Sequence, residues 1–241
     1  MIENKKLNIS AGEIRYLQSS PRDRDLVFIH GGFGDLGLVA LFEKQFGAKY
    51  RITAPYLPGH SSFSLKENYT YSDMVATLSK FLTKLEVTDY VLMGHSLGGR
   101  LALDMSTNGD THARSEVLLA PMLAPIAATL VQTAIRLTHD YMSDLGMSRG
   151  HGLQRETLST RVMNLHKIWK LVTSVGEVEN KTLIIPTTII WGQDDTVLPL
   201  SRNAPLVSRL EGAKLKTFKG GHYWPLKISN LEILDRLIAE N

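Results

Sequence analysis

Gly94-His95-Ser96-Leu97-Gly98 is the stretch of this chain whose residue types and spacing could do covalent chemistry. A serine hydroxyl is a weak nucleophile until a base takes its proton and the backbone aims it at a substrate. The G-x-S-x-G pattern meets the second need where a strand turns sharply into a helix. The serine then sits on a strained turn, and the residues two positions to either side must lack side chains. Such a turn exposes the hydroxyl and points the next backbone N–H at the substrate oxygen that becomes negative, while the helix N-terminus adds partial positive charge. The flanks fit: residues 90–93 (YVLM) have the character of a short buried strand, and helical sequence resumes at 100–105.

Other segments stand in a telling order around this turn. They are His30-Gly31-Gly32-Phe33-Gly34, the PYLPGHSS stretch at 55–62, WGQDDTVLP at 191–199 and GGHYWP at 220–225. With GHSLGG at 94–99 they extend over nearly the whole chain, and in them the sequence resembles the α/β-hydrolase superfamily, whose chain order is serine, acid, histidine. The resemblance implies a base in the loop after the last strand, which is His222. Of the other histidines, His30 and His95 flank glycine motifs and suit loop support. His60 lies in a turn that is usually structural in the family, and His112, His139, His151 and His166 fall in or near helical segments. The family's acid follows G-x-x-D with a proline four residues on. Gly192 and Pro199 both select Asp195 over its neighbour Asp194, which would be a turn residue or a cap for the following helix. Asp195 would hold the imidazole's tautomer and stabilise its cation. The resemblance also implies an oxyanion hole from the backbone N–H groups of Gly32 and Leu97, with Phe33 as the alternative to Gly32. HGGFGD lacks the Lys-Ser/Thr of a P-loop and the glycine spacing of a dinucleotide site. Asp194 and Asp195 have no third ligand at metal spacing. No metal or organic cofactor is therefore expected. Tyr56 and Ser61 replace the aspartate and second glycine usual in the family, a difference that bears on the pocket wall.

The elements that must position these residues alternate between short apolar runs and helical patterns. Strands are expected at 13–18, 25–30, 50–54, 116–120, 183–191 (the strand proper beginning after Pro186) and 215–218. Helices are expected at 71–85, where Met74, Leu78, Phe81, Leu82 and Leu85 share a face, and at 226–239. That order predicts an α/β fold, a mostly parallel doubly wound sheet flanked by helices, in one domain spanning 1–241. Residues 122–180 hold no evident strand. They predict a small helical lid of two or three helices, interrupted at 146–152, and rich in Met122, Leu123, Ile126, Leu130, Ile135, Leu137, Met142, Met147 and Met163. These apolar residues suit either an acyl or aromatic pocket or simple packing on the sheet. Arg136, His139, Arg149 and Arg155 could meet an acidic substrate, but helical charges are usually solvated.

Composition narrows the classes. The chain has 241 residues, 43% hydrophobic, with a formal charge of +3 and its basic residues scattered, which argues against a nucleic-acid footprint. The absence of cysteine removes disulfides, thiolate catalysis and Cys-ligated metals. Residues 1–10 are polar and mixed, without a signal peptide's apolar core, and the longest apolar stretch, 117–130, is shorter than the ~20 residues that span a bilayer. A cytoplasmic protein without stable membrane insertion, monomeric or homodimeric, is expected. The expected activity is that of a carboxylesterase or thioesterase, cleaving a small-molecule ester or thioester through an acyl-Ser96 intermediate. Acyl transfer, C–C bond hydrolysis, lyase chemistry and a non-enzymatic ligand receptor remain open on the same scaffold.

Overall fold

The computed structural model describes residues 1–34, 36–61, 63, 65–145 and 158–240. One sheet contains β1 (Ile2–Ile9), β2 (Gly12–Ser19), β3 (Arg24–Ile29), β4 (Tyr50–Pro55), β5 (Tyr90–His95), β6 (Ala113–Leu119), β7 (Lys181–Gly192) and β8 (Leu210–Phe218). Across it the order is β1-β2-β4-β3-β5-β6-β7-β8. The pairs β1–β2 and β2–β4 are antiparallel and all other neighbours parallel, as the alternation predicts. From β3 the chain passes through α1 (Val39–Phe46) to β4 on one side, then through α2 (Tyr71–Leu85) to β5 on the other. The crevice beyond the carboxyl ends of β3 and β5 is therefore the topological switch point, where open α/β sheets bind ligands.

The pleat divides the core between two faces. From β5, Val91 and Met93 pack with Phe28, with Phe42 of α1 and with Leu234 of α7 (Leu231–Ala239). Leu92 packs on the opposite side with Leu78 of α2, Leu101 of α3 (Leu97–Thr107) and Leu171 of α5 (Leu158–Ser174). Both faces being covered, the central strand is buried along its whole length and its sequence is apolar almost without a break. At its start, α2 is fixed by a reciprocal cap. The Asp73 N–H donates to the Thr70 hydroxyl, and the Thr70 N–H to the Asp73 carboxylate.

Several boundaries differ from expectation for local reasons. Strand β1 lies in the stretch read only as polar; as an edge strand with alternate residues exposed, it shows little apolar signal. Strand β7 runs through Pro186, and its register against β8 jumps between Thr182 and Thr187, an irregularity that accommodates the missing N–H. The single helix expected at 226–239 is two 3-10 turns, Trp224–Leu226 and Ile228–Asn230, followed by α7. Pro225 opens the first turn, and the Asn230 side chain donates to the Trp224 carbonyl at 2.9 Å. Helix α1 had no counterpart in the sequence reading, and α6 (Leu200–Val207) was expected only as a helix following Asp195, without bounds.

Between β6 and β7 lie α4 (Leu130–Leu145) and α5. The expected interruption at 146–152 falls outside the described residues, as do Met147, Arg149, His151 and Arg155, and the Met163 side chain is not described. Of the other apolar residues there, Met122 and Leu123 are core, while Ile135 and Met142 are exposed on α4.

Candidate active site

Ser96 follows β5 directly and is the residue before α3, with φ 56° and ψ −118°. A non-glycine residue in this region costs about 1–3 kcal/mol and persists only where its surroundings impose it. They do so here by close approach. A Cβ at Gly94 would lie 2.4 Å from the Gly98 carbonyl oxygen, and one at Gly98 would lie 2.2 Å from the Ile29 oxygen. The helix thus crosses its own strand and β3 at distances that only glycine permits. The turn is stitched to β6: the Ser96 N–H donates to the Leu119 carbonyl at 2.9 Å, and the Ser96 carbonyl accepts from Met122 at 3.1 Å.

His222 lies in the turn after β8 and is fully buried. Its Nδ1 is 2.8 Å from Oδ2 of Asp195, which is also buried in the loop after β7. The second Asp195 oxygen accepts the N–H groups of Val197 (2.9 Å) and Leu198 (2.7 Å). A carboxylate fixed in this way is an acceptor toward the ring, so the proton belongs on Nδ1 and Nε2 is the basic nitrogen. Asp194 goes elsewhere: its carboxylate accepts from the Gly220 N–H at 3.1 Å and its own N–H donates to the Gly220 carbonyl. It pins the root of the histidine turn and does not cap α6, whose first turn follows Pro199.

The remaining histidines divide as their contexts suggest. His95 Nε2 lies 3.2 Å from the His222 carbonyl, with the two rings 4.7 Å apart. His30 Nε2 accepts the Leu57 N–H, which leaves Nδ1 to donate to the Gly31 carbonyl at 2.7 Å. His60 Nε2 donates to the Gly32 carbonyl at 3.1 Å. His112, His139 and His166 are exposed, and His151 lies outside the described residues.

Gly32 and Phe33 are in the turn after β3. A Cβ on Gly32 would sit 3.4 Å from side-chain carbons of both Leu97 and Val172, so the glycine turn lies against the first residue of α3. The two proposed N–H donors, Gly32 and Leu97, therefore come from adjacent segments at the switch point, with Phe33 half-buried next in chain. Elsewhere, a cavity of about 220 Å³ lies between the loop after β6, α4 and the Val197–Pro199 stretch, and Arg136 and Arg202 are its charged lining. Among the described residues, no three His, Asp or Glu side chains come together as a metal-binding group, and no helix is long and apolar enough to cross a membrane.

The sequence reading missed two carboxylates of α4. Asp140, 1% exposed, accepts the N–H groups of Thr196 (2.9 Å) and His222 (3.1 Å), the Thr196 hydroxyl (2.8 Å) and His139 Nδ1 (3.0 Å). Asp144, 5% exposed, accepts the Gly221 N–H at 3.0 Å on one oxygen and the Tyr223 N–H at 2.9 Å on the other. Burial pushes the Asp140 pKa up, but the hydrogen bonds from His139, Thr196 and His222 outweigh it and hold the group below the usual carboxylate range. For Asp144 burial prevails over its two N–H partners, the neighbouring Asp140 charge adds to it, and the pKa is raised. A signal existed: like charges four residues apart repel on a helix, so such a pair implies donors on that face.

A family model described as the alpha/beta hydrolase family matches residues 26–227. The chain is 25% identical over 234 residues to a Pantoea ananatis protein assigned as a carbamate hydrolase, covering 83% of this chain and 82% of that one. It is 21% identical over 246 residues to the 2-hydroxy-6-oxo-6-phenylhexa-2,4-dienoate hydrolase of Burkholderia cepacia, covering 87% and 84% respectively. The solved structure of a membrane phospholipase A, a bacterial virulence factor, matches with a TM-score of 0.79 at 16% identity, over 100% of this chain and 87% of that one. At that identity the likeness speaks for the fold alone. On the family match over most of its length, this chain belongs to the alpha/beta hydrolase family.

Proposed function

We propose that the protein is a serine hydrolase that cleaves a carboxylic ester or thioester of a small molecule through an acyl-Ser96 intermediate. The observation that carries this reading is the imposed positive φ of Ser96 at the switch point, a conformation that stability gives no reason to keep. In the proposed cycle Ser96 Oγ attacks the carbonyl carbon while His222 Nε2 takes the hydroxyl proton. Asp195 holds the Nδ1–H and stabilises the imidazolium. The Gly32 and Leu97 N–H groups (or Phe33 in place of Gly32) take the developing oxyanion, and losing one such donor costs about 3 kcal/mol of transition-state stabilisation. His222 returns the proton to the departing alcohol or thiol. It then deprotonates water, which displaces the acyl group and restores Ser96. Helices α4 and α5, within the 122–180 segment, would act as the lid.

A second reading, hydrolysis of a C–C bond, is supported by the long match to the Burkholderia dienoate hydrolase. The first experiment is labelling with a fluorophosphonate, read by intact mass, with Ser96→Ala as control. A single adduct lost in the mutant is expected, whereas no adduct on folded protein would sink the activated-serine mechanism. Comparing kcat/KM for p-nitrophenyl esters, acyl thioesters and a 2-hydroxy-6-oxo-dienoate then separates the two readings.

A further inference from the structure

We propose that Asp140 and Asp144 are positioning residues for His222, tying α4 to the loops of the acid and the base so that helix and loops move as one unit. The inference rests on the reading of His222 as the base. Three consecutive backbone N–H groups, those of Gly221, His222 and Tyr223, donate to these two carboxylates, and the Thr196 N–H next to Asp195 donates to Asp140 as well. Among the described residues, α4 grips the catalytic loops through these five carboxylate contacts, the Thr196 hydroxyl included. Gly221 gives independent support. A Cβ there would lie 2.9 Å from an Asp144 oxygen and 3.0 Å from Asp140 Cγ, and its φ is not positive. A methyl at 221 would therefore push the carboxylates aside, so glycine there serves the space they occupy and not the turn's conformation.

The two aspartates differ in what an amide would do. Both Asp144 oxygens accept backbone N–H groups, which cannot reverse, so Asp144→Asn sets an NH₂ against a donor and releases one side of the turn. One Asp140 oxygen meets the Thr196 hydroxyl, which can turn to accept, and the exposed His139 ring, which can turn away, while the other keeps both backbone N–H groups, so Asp140→Asn keeps the loop in place and removes the charge. That charge acts on the imidazole. Around His222 stand Asp195 from the loop after β7, His95 from β5, Tyr223 from its own turn, and Asp140 and Asp144 from α4. His139 and Lys227 lie beside the two aspartates. Removing an anion from this set disfavours the imidazolium.

The experiment is the pH profile of the fluorophosphonate labelling rate of Ser96 in the wild type and both variants, with His222 titrated in parallel by NMR and melting temperatures recorded. Asp140→Asn should move both midpoints down by about one pH unit with the plateau rate nearly kept. Asp144→Asn should lower the plateau about tenfold or more at a pH where the protein remains folded. Gly221→Ala should likewise lower the plateau, and by less when added to Asp144→Ala than alone. Wild-type midpoints and plateaus in both aspartate variants would overturn the proposal while leaving the serine mechanism intact. A wild-type protein that does not label at Ser96 would overturn the mechanism, and the proposal with it.

Discussion

At Ser96 the chain keeps a side chain where glycine would sit more easily, and the hydroxyl is the only group gained. Ser96→Ala should abolish turnover with little change in Tm, because alanine inherits the same strain. Ser96→Gly should abolish turnover and raise Tm by a few degrees, about what relief of 1 kcal/mol gives a domain of this size. Thermal melts beside an ester assay check both, and a Ser96→Gly protein that melts lower would deny the strain. The adjacent acids separate as sharply. Asp195→Asn would turn an NH₂ toward the ring or the Val197 and Leu198 N–H groups, favouring the wrong tautomer. Its kcat should fall roughly a thousandfold or more. Asp194→Asn disturbs one bond to Gly220 and should cost less than about tenfold. The reverse ranking would reassign the acid.

Among the elements, the crossing of α3 over β3 and β5 tolerates no added atom. Gly98→Ala should destabilise the fold by several kcal/mol and remove activity together, since its methyl would meet backbone oxygens of Ile29 and His30 that cannot yield. A urea midpoint close to wild type would show that the crossing can relax. This element could be read in advance because G-x-S-x-G encodes a steric demand within five consecutive residues. The same holds for α2, whose bounds follow from its helical periodicity and whose cap is local. What escaped was not local. β1 is half exposed and its apolar signal is diluted, α7 begins late because Pro225 and Asn230 build turns before it, and the Asp140–Asp144 grip joins residues about 80 positions apart. Asp195 and His222 were chosen through family order; their hydrogen bond also spans segments that no periodicity connects.

At the scale of the whole molecule, Glu116 in the middle of the sheet is a fully buried acid outside the site. Burial pushes its pKa up to about 8, against hydrogen bonds from Ser106 and Thr187 that pull the other way. Its folded value lies above its unfolded value near 4.5, so the folded state binds more protons between them. The stability it contributes is full below about pH 4.5 and is lost as pH rises through 8, at up to about 1.4 kcal/mol per pH unit. Glu116→Gln should flatten that decline, read as urea midpoints at pH 6 and pH 9. Equal slopes in mutant and wild type would refute the assignment. The strand order has another consequence, for the way activity must arise during folding. The Ser96 turn needs β3, β5, β6 and the Met122 N–H, all complete by residue 122, whereas the His222 turn needs β8, which pairs in parallel with β7 after a crossover. Parallel pairings are slow, non-local steps. A refolding chain should therefore recover its far-UV signal before its serine becomes reactive, with the final strand acting as the switch that turns the molecule on.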